Sequence, residues 1–473
     1  MKVKVVDSIM GSGKTTAAIN YMNENEGRYI YITPFLSEGE RVKLACPSLS
    51  FKEPSDEDGT KLNSLKKLME AGENIVSTHS LFTHFDNDVI ALLKSNEYIL
   101  IADEVMEVIN VLNVDSDDIN MLHEMKFIEK GEHQSVKWIA NAPKKSSIYY
   151  PIYLVISRND SLRFINNHFL IEILPVSLFC YFKDVMILTY MFDSSIQRAY
   201  YDLNGIEYDY WYVTNDYHFT GDISKKGEFK PDTSLINIVS TDNYNSIGDD
   251  MYSFSKEWIK DLENQKNVKR VTNNMIKGCW KLKSGTRHMW STFKDYADYV
   301  KPVRIASDFV SVNARATNEF ADIHYCTYLA NIFIHPAIIQ FFSSNGIKLN
   351  QNDYALSQLL QWVYRSAIRK GEPIHVYLPS KRMRTLFIEW LNQFGEVDGR
   401  RTAADYMVAR WSEPFYSPED KEAFRLMFSE RFGVNCKTFN AARKLFNGLH
   451  KDQLISYLAK GKTMYKIVPV TLS

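Results

Sequence analysis

Short apolar runs alternate with segments of helical periodicity through the first part of the chain. The runs that read as strands are Lys2–Asp7, Tyr29–Thr33, Asn74–Thr78, Glu97–Ala102 and Lys183–Thr189. Strands that alternate with helices predict a parallel sheet with crossover connections. Polar signatures follow directly after these strands, at the edge where open parallel sheets bind ligands. The pattern therefore predicts an α/β fold with a ligand site at the carboxyl ends of its strands.

The alternation is interrupted by an insertion of about residues 110–180. Within it, the alternating segments Ser161–Ile165 and Phe169–Ile173 flank an Asn-Asn pair at 166–167. Two such segments around a short polar turn predict a β-hairpin. The hairpin lies between the fourth and fifth strands of the predicted sheet.

A second α/β segment is predicted to begin near Gly205. Its strand candidates are Tyr208–Val213, Leu235–Val239, Val268–Thr272, His288–Ser291 and Ile374–Leu378. The polar stretch Thr220–Pro231 reads as a loop or interdomain linker.

After Phe394 the chain becomes helical and charged. Amphipathic helices are predicted over Lys421–Phe432 and Cys436–Leu458. The changes of pattern predict three domains, namely 1–204, 205–393 and 394–473.

Composition narrows the possible classes of protein. Hydrophobic residues make up 45% and charged residues 24% of the 473 residues, which is ordinary for a globular protein. The net charge is −1, so any nucleic acid must bind in a local groove rather than a global basic field. The five cysteines are scattered, which argues against a zinc site or disulfide framework and suits a cytoplasmic protein. Apolar runs are short or carry charges, so we expect no membrane partner.

A glycine-rich loop follows the first strand and precedes a predicted helix. Small residues let backbone N–H groups turn towards phosphate oxygens, and the helix dipole favours an anion at this position. Lys14 can reach the β- and γ-phosphates, and the Thr15 hydroxyl can hold Mg²⁺. The predicted nucleotide-binding residues are Gly11, Ser12, Gly13, Lys14, Thr15 and Thr16. Ser8 stands where this motif usually has its first glycine. The loop predicts a nucleoside triphosphate and Mg²⁺ as cofactors, with ATP as the default.

Asp103 and Glu104 end the fourth predicted strand. An aspartate there can hold the water shell of Mg²⁺, and a neighbouring glutamate can orient or deprotonate the attacking water. A solvated acidic pair is the alternative. With the glycine-rich loop, the pair favours hydrolysis of the nucleotide over binding alone.

These motifs together resemble superfamily-2 helicases of the DEAD/DEAH kind. Gly11–Thr15 and Asp103–Val105 resemble the first two motifs of that family. Thr33-Pro34 is similar to motif Ia, and Ser77–His79 is similar to the motif that contacts a nucleic-acid phosphate. Leu188–Phe192 stands at the place of motif III, where only Thr189 matches.

Gln361–Arg369 resembles motif VI, whose arginines reach the γ-phosphate in that family. On a helix, Arg365 and Arg369 are four residues apart and would share one face. Planar guanidinium groups suit phosphate oxygens. Which of the two arginines contacts the γ-phosphate stays open, with Arg365 preferred, and an exposed basic helix face is the alternative.

Two further segments extend the resemblance. Asn313–Asn318 resembles motif V, and Trp290–Lys294 lies at the place of motif IV. The likeness is to helicase-like ATPases of tailed phages and covers about Met1–Ser380. It implies two RecA-like parallel-sheet domains. The residue patterns described above add an inserted hairpin region and a C-terminal helical unit to this predicted α/β fold. The nucleic-acid contacts that it implies are Thr33, Pro34, Thr78, His79, Lys294, Arg315 and Asn318.

Basic residues also cluster in two places. Lys266–Trp290 contains no acidic residue and interleaves Trp280, His288 and Trp290 with its cations, and Lys381–Arg384 is a second cluster. Cations neutralise phosphates and aromatic rings stack on unpaired bases, although a solvated surface is the alternative for each.

The sequence thus predicts an NTP-driven DNA helicase or translocase of phage-type replication, recombination or repair. Its catalytic residues would be Lys14, Glu104, Arg365 and Arg369, with Thr15 and Asp103 at the metal. The expected partner is single-stranded or branched DNA, with RNA and a host or replication protein left open, in the cytoplasm of the host cell. The alternatives are an NTP-gated interaction module that binds nucleic acid or a host protein, and another P-loop motor ATPase.

Overall fold

The computed structural model describes most of the chain. The described residues are 2–34, 36–57, 59–112, 114–131, 134–157, 162–166, 169–312, 319–394, 411, 414–431, 435–449, 454–459 and 461–467. They form two compact units, 1–229 with 334–357, and 230–333 with 358–473. The three-domain division of the sequence stays a prediction, because compactness does not test independent folding.

The strands and helices of the described residues alternate along much of the chain. The strands are β1 Val3–Asp7, β2 Arg28–Thr33, β3 Ile75–Thr78, β4 Tyr98–Asp103, β5 Ile109–Leu112, β6 Ile128–Lys130, β7 Val136–Trp138, β8 Leu162–Ile165, β9 Phe169–Ile173, β10 Asp184–Thr189, β11 Tyr208–Val213, β12 Phe219–Thr220, β13 Ile236–Ile238, β14 Arg287–Ser291, β15 Ala306–Phe309, β16 Tyr325–Tyr328, β17 Ile374–Tyr377, β18 Leu454–Ala459 and β19 Lys462–Ile467. The α-helices are Lys14–Glu24, Leu36–Ala45, Lys61–Glu70, His79–Phe82, Asn87–Asn96, Ser116–Glu124, Tyr150–Ser157, Ser177–Cys180, Ile196–Leu203, Asp242–Asn245, Leu262–Met275, Ala297–Val300, Pro336–Ser344, Gln351–Val363, Lys381–Leu391, Pro418–Arg431 and Phe439–Leu449.

The first unit contains a sheet whose described strands have the order β12-β11-β1-β10-β4-β2-β3. All pairings are parallel except that of β12 with β11. Asp7 is opposite Thr189, and Leu188 is opposite Asp103, so the carboxyl ends of β1, β10 and β4 meet at one edge. The predicted parallel sheet is confirmed. Tyr208–Val213 pairs with β1 here, so its assignment to the second α/β segment was wrong.

The central strands of this sheet are buried on both faces. In β4, Leu100 and Ala102 pack into one hydrophobic core, whereas Ile99 and Ile101 pack into the core on the other side. Strands that are covered on both faces carry continuous apolar runs. This is why the sequence showed unbroken apolar segments at these positions, and it gives the strand ends a rigid support.

The insertion forms an antiparallel sheet of order β5-β9-β8. The predicted hairpin is confirmed, because β8 pairs with β9 from Ile165 opposite Phe169 to Leu162 opposite Glu172. The adjoining strand β5 also pairs with β9 in an antiparallel arrangement. The insertion thus has a small sheet of its own.

The second unit contains a parallel sheet of order β13-β17-β16-β14-β15. The predicted strand Val268–Thr272 was wrong, since these residues lie in the helix Leu262–Met275. Val268, Thr272 and Met275 are buried in that helix. Their spacing is the helical repeat, which a five-residue window cannot distinguish from a strand.

The C-terminal part contains helices and a β-hairpin. The helix Phe439–Leu449 is shorter than the predicted Cys436–Leu458, and β18 and β19 pair after it as an antiparallel hairpin. Phe415, Phe424, Phe446 and Tyr465 share a core there. None of the helices in the described ranges has the length and apolarity to cross a bilayer.

His288 makes the second unit sensitive to acid. It lies on the interior strand β14, fully buried, with Nε2 2.8 Å from Thr327 Oγ1. Burial lowers its pKa from 6.5 to about 3. Between these values the unfolded chain binds a proton that the native chain does not, so the free energy of unfolding falls as the pH falls below 6.5. At pH 5, we expect this histidine to lower the free energy of unfolding by about 2 kcal/mol.

Denaturant unfolding of the wild type and of His288→Gln at pH 7 and pH 5 measures this loss in the free energy of unfolding. The variant is less stable at pH 7, but its additional loss at pH 5 should be smaller by about 2 kcal/mol. Equal additional losses in both proteins would contradict a histidine that is buried and neutral.

Candidate nucleotide-binding site

The loop after β1 has the backbone of a phosphate-binding loop. Gly11 and Gly13 have φ values of 80° and 81°, in the left-handed region that favours glycine. Ala17 N donates to Gly13 O at 2.8 Å, which starts the helix Lys14–Glu24. The N–H groups at the start of this helix face the loop without helical acceptors. The loop therefore offers an anion both backbone donors and a helix dipole.

Lys14 points into the loop. Its Nζ donates to the carbonyl oxygens of Ser8 at 2.6 Å and Ile9 at 3.1 Å, and its side chain is buried. Ser8, which replaces the usual glycine, is fixed to the sheet because its Oγ accepts from Val213 N at 3.1 Å. Thr15 is half-buried, whereas Thr16 is exposed. The predicted lysine thus lies within the loop that would surround a phosphate.

Buried hydroxyl groups accumulate at the carboxyl edge of this sheet. The side-chain oxygens of Ser12, Thr33, Ser77 and Thr189 are buried and have no hydrogen-bond partner among the residues that the structure describes. A buried hydroxyl without a partner costs free energy, and such groups are rare in native proteins. Their collection at one sheet edge indicates a site built for a polar ligand.

Asp103 lies at the end of β4 with almost no exposed surface. Burial raises its pKa to about 7, and the nearby charges of Glu104 and Glu38 add to this rise. Lys14 and a hydrogen bond from Tyr31, whose hydroxyl is 3.1 Å from Oδ2, oppose it. The carboxylate is thus close enough to Lys14 to sense its charge. A bound cation would favour its ionised form.

Glu104 has a backbone conformation that is unusual for glutamate. Its φ is 73°, in the left-handed region where non-glycine residues are strained. Its N–H donates to Leu188 O at 2.8 Å, so the neighbouring strand β10 holds it. Its side chain is half-buried. The turn directs the chain out of the sheet directly after Asp103.

Two residues near the loop were missed by the sequence analysis. The half-buried Asp7 accepts, through its carboxylate, from the N–H groups of Met191 at 2.8 Å and Phe192 at 3.3 Å, and the loss of contact with water raises its pKa. Tyr31 contacts Asp103 from β2. A polar residue at a strand end was the available signal for Asp7, but the contact of Tyr31 depends on the strand order.

The predicted nucleic-acid contacts of the first unit follow β2 and β3. Thr33 is fully buried, and Pro34 next to it is half-buried. Thr78 caps the short helix His79–Phe82 by accepting from Leu81 N at 3.2 Å. His79 Nε2 lies 2.9 Å from the carbonyl oxygen of Asp103. This contact joins the segment after β3 to the acidic pair.

The second unit separates the two predicted arginines. The helix that contains Gln361 ends at Val363, and Ala367–Lys370 is a separate 3₁₀ turn. The single helix face predicted for Arg365 and Arg369 is therefore wrong. The extended Ser366 breaks the helix between them, so that Arg365 is buried and Arg369 is exposed. Lys294 is exposed on a short turn, and Arg315 and Asn318 lie outside the described residues.

The aromatic side chains of the basic segment Lys266–Trp290 are part of the core, whereas most of its cations are exposed. Trp280, His288 and Trp290 are buried, so the prediction that their rings stack on bases was wrong. In the second cluster, Arg382 donates to Ile332 O at 2.8 Å and Arg384 donates to Leu378 O at 2.7 Å. A sequence in which cationic and aromatic residues alternate does not predict which of these side chains are buried.

The oxygen donors at the loop fit Mg²⁺. A threonine hydroxyl and a carboxylate are hard oxygen ligands, and Mg²⁺ in nucleotide sites keeps waters and binds substrate phosphates. Burial is the main cause of the raised pKa of Asp103, and the charges of Glu104 and Glu38 add to it; a bound cation would oppose both effects by favouring the ionised carboxylate. Within the described ranges, His, Cys, Asp and Glu form no group of three or more that could hold a metal ion alone. Thr15 and Asp103 would therefore hold the ion together with the phosphates.

Comparisons with known proteins agree with a parallel second sheet. A family profile described as the YonV C-terminal Rossmann-like domain matches residues 232–391, which contain β13 to β17. The SPbeta prophage-derived protein YonV of Bacillus subtilis (strain 168) is 38% identical over 412 residues, covering 82% of this chain and 98% of that protein.

Two solved structures align with this chain over most of its length. S. tokodaii Xpd4 aligns with a TM-score of 0.46 at 10% identity, over 84% of this chain and 95% of that chain. The DUF1998 helicase MrfA, bound to DNA and AMPPNP, aligns with a TM-score of 0.30 at 12% identity, over 99% of this chain and 57% of that chain.

Proposed function

The chain belongs to the YonV family, and we propose that it is an ATP-driven helicase or translocase of the superfamily-2 type that acts on DNA. Support comes from one arrangement in the first unit. The loop with left-handed Gly11 and Gly13 surrounds the Lys14 side chain, and Asp103 and Glu104 end a strand at the same sheet edge. A phosphate-binding loop with an acidic pair within electrostatic range has the parts needed to hydrolyse a triphosphate.

The proposed roles follow from the chemistry of each group. Lys14 binds the β- and γ-phosphates, while the N–H groups of the loop from Gly11 to Thr16 surround the phosphate oxygens. Thr15 and Asp103 hold Mg²⁺, which when bound neutralises charge on the β- and γ-phosphates. Glu104 orients the attacking water and accepts its proton. Arg365 or Arg369 then stabilises the charge on the γ-phosphate.

We propose that DNA binds to the segments that follow β2 and β3. Thr33, Pro34, Thr78 and His79 stand there, and contacts with the backbone would position DNA without reading its sequence. His79 touches the carbonyl of Asp103, so movement of DNA at this segment would reach the acidic pair. Lys294, Arg315 and Asn318 are the corresponding candidates in the second unit.

A prophage-derived relative supports a role in phage-type DNA replication, recombination or repair, in the cytoplasm of the host cell. The chemistry of phosphate contacts does not separate DNA from RNA, because both backbones carry the same charge. Single-stranded and branched DNA are therefore tested beside single-stranded RNA.

Release of phosphate from ATP, with and without each nucleic acid, tests this function. We expect single-stranded DNA to stimulate hydrolysis by at least about tenfold, and Lys14→Ala to abolish turnover with and without DNA. Lys2→Ala is the matched control, because Lys2 is an exposed lysine on the same sheet that pairs with Asp209. ATP hydrolysis at the normal rate in Lys14→Ala would contradict the proposed mechanism. Strand displacement on forked DNA then distinguishes unwinding from translocation.

A second candidate is an NTP-gated module that binds a protein. It is favoured by the exposed apolar side chains of the insertion, namely Met121, Met125, Ile139 and Ile148. Exposed apolar groups of this kind mark interaction surfaces when they are contiguous. Hydrolysis that no nucleic acid stimulates, with normal nucleotide binding, would favour this candidate over a translocase.

A further inference from the structure

The turn after β11 places a tyrosine ring against the phosphate-binding loop. A Cβ atom built on Gly13 would lie 2.5 Å from both Cδ1 and Cε1 of Tyr217. The ring therefore covers the Gly13 backbone so closely that any side chain at this position would displace it. Tyr217 is nevertheless 42% exposed, so the ring has one side on the loop and keeps a large open surface.

The turn holds Tyr217 in this position at a cost. Its φ is 59°, in the left-handed region that disfavours a bulky residue. Its carbonyl oxygen accepts from Asn20 Nδ2 at 3.1 Å, which ties the turn to the helix Lys14–Glu24. Its N–H donates to Thr214 O at 2.9 Å, and Thr214 N donates to His218 O at 3.0 Å. These two hydrogen bonds form a hairpin loop with a left-handed residue at its end, and this loop presents the exposed ring beside Gly13.

Polar groups lie beside the ring. His218 Nε2 is 3.2 Å from Glu24 Oε1, and its Nδ1 is 3.3 Å from Asp216 Oδ2. All three side chains are largely exposed. They are able to exchange hydrogen bonds with the polar edge of a flat ligand that lies on the tyrosine.

The position fits the path of a bound nucleotide. When the β- and γ-phosphates occupy the loop, the nucleoside must leave past the start of the helix, where Gly13 and Lys14 stand. Every nucleobase has a π-face that stacks on an aromatic ring, and the larger purine ring offers more area. We propose that Tyr217 is the platform on which the base of the bound triphosphate stacks, with a preference for purines. This assignment rests on the proposed function, because it names the base subsite of the same site.

Binding of ATP, CTP and inorganic tripolyphosphate with Mg²⁺, measured by calorimetry, tests the assignment. Tripolyphosphate occupies the loop without a base, so it reports on the loop alone. Tyr217→Ala should weaken ATP binding by about tenfold and leave tripolyphosphate binding within about twofold. Tyr217→Phe keeps the ring and should keep most of the ATP affinity. Tyr299→Ala removes another exposed tyrosine and is the matched control.

The outcomes separate this inference from the proposed function. If Tyr217→Ala binds ATP as the wild type does, or loses ATP and tripolyphosphate equally, the stacking role is overturned. If the wild type binds neither ligand, or Lys14→Ala binds both normally, the proposed function itself fails. In Tyr217→Trp, ATP should quench the added tryptophan fluorescence while tripolyphosphate should not, and equal quenching by both would also overturn the platform.

Discussion

Glu104→Gln is expected to lower kcat for ATP hydrolysis by about 10³-fold while leaving ATP affinity within about threefold. The amide keeps the size of the side chain but does not accept the proton of the attacking water. Lys14 and the loop N–H groups, which would provide phosphate binding, are unchanged. Single-turnover hydrolysis and equilibrium binding of a non-hydrolysable ATP analogue measure the two quantities separately.

Glu107→Gln is the matched control for this prediction. Glu107 is an exposed glutamate three residues further along the same segment, and the same substitution there should leave kcat unchanged. A Glu104→Gln variant with kcat within tenfold of the wild type would contradict the role of Glu104 as the base. Loss of nucleotide binding together with kcat would instead assign Glu104 to the binding of the metal and phosphates.

The backbone of Glu104 gives an independent reason to expect a functional role. A left-handed conformation costs a residue with a Cβ atom roughly 1–2 kcal/mol. Glycine or asparagine would occupy φ of 73° at lower cost. The hydrogen bond from Glu104 N to Leu188 O fixes the turn but does not require a carboxylate. Strain of this kind persists at sites where the side chain itself is needed.

The parts of the fold that depend on local signals could be predicted from the sequence. β2, β4 and β10 are largely apolar runs because both sheet faces are covered, and β1 and β3 are shorter apolar segments with polar residues among them; the predicted bounds of all five agree with the structure within about two residues. The glycine-rich loop was found because left-handed glycines and a following helix are neighbours in the sequence. The hairpin of β8 and β9 was found for the same reason, since its turn is short.

Features that depend on strand order could not be predicted in this way. Tyr217 lies against Gly13 because β11 pairs with β1, and about 200 residues separate the two in the sequence. Trp290 and His288 look like nucleic-acid ligands among lysines, but β14 is an interior strand and buries both. In each case the deciding fact is which strand is adjacent, and no local pattern contains it.

Helix ends were a further source of error. A helix through Arg365 and Arg369 is favoured by the residues themselves, but Ser366 is extended and Arg365 is buried beyond the helix end. The two arginines therefore have different surroundings, which the sequence alone did not predict. This difference makes a choice between them testable.

Arg365→Ala is expected to lower kcat for DNA-stimulated ATP hydrolysis by about 10³-fold, whereas Arg369→Ala should change it less than about threefold. Arg365 is buried, and the planar guanidinium group loses little entropy when it binds a phosphate oxygen. The exposed side chain of Arg369 is free to adopt many rotamers. The two substitutions remove the same side chain four residues apart, so each is the control for the other.

Loss of stability must be separated from loss of catalysis in this pair, since removal of a buried cation also disturbs its surroundings. Thermal unfolding and binding of a non-hydrolysable ATP analogue provide that separation. Arg365→Ala that folds, binds the analogue and hydrolyses ATP at the normal rate would show that this arginine is structural. Arg365→Lys keeps the charge but not the planar fork, so a residual rate between those of the wild type and Arg365→Ala would indicate that bidentate contact with the γ-phosphate matters. A greater loss in Arg369→Ala than in Arg365→Ala would reverse the assignment, and the exposed arginine would then be the one that acts on the γ-phosphate.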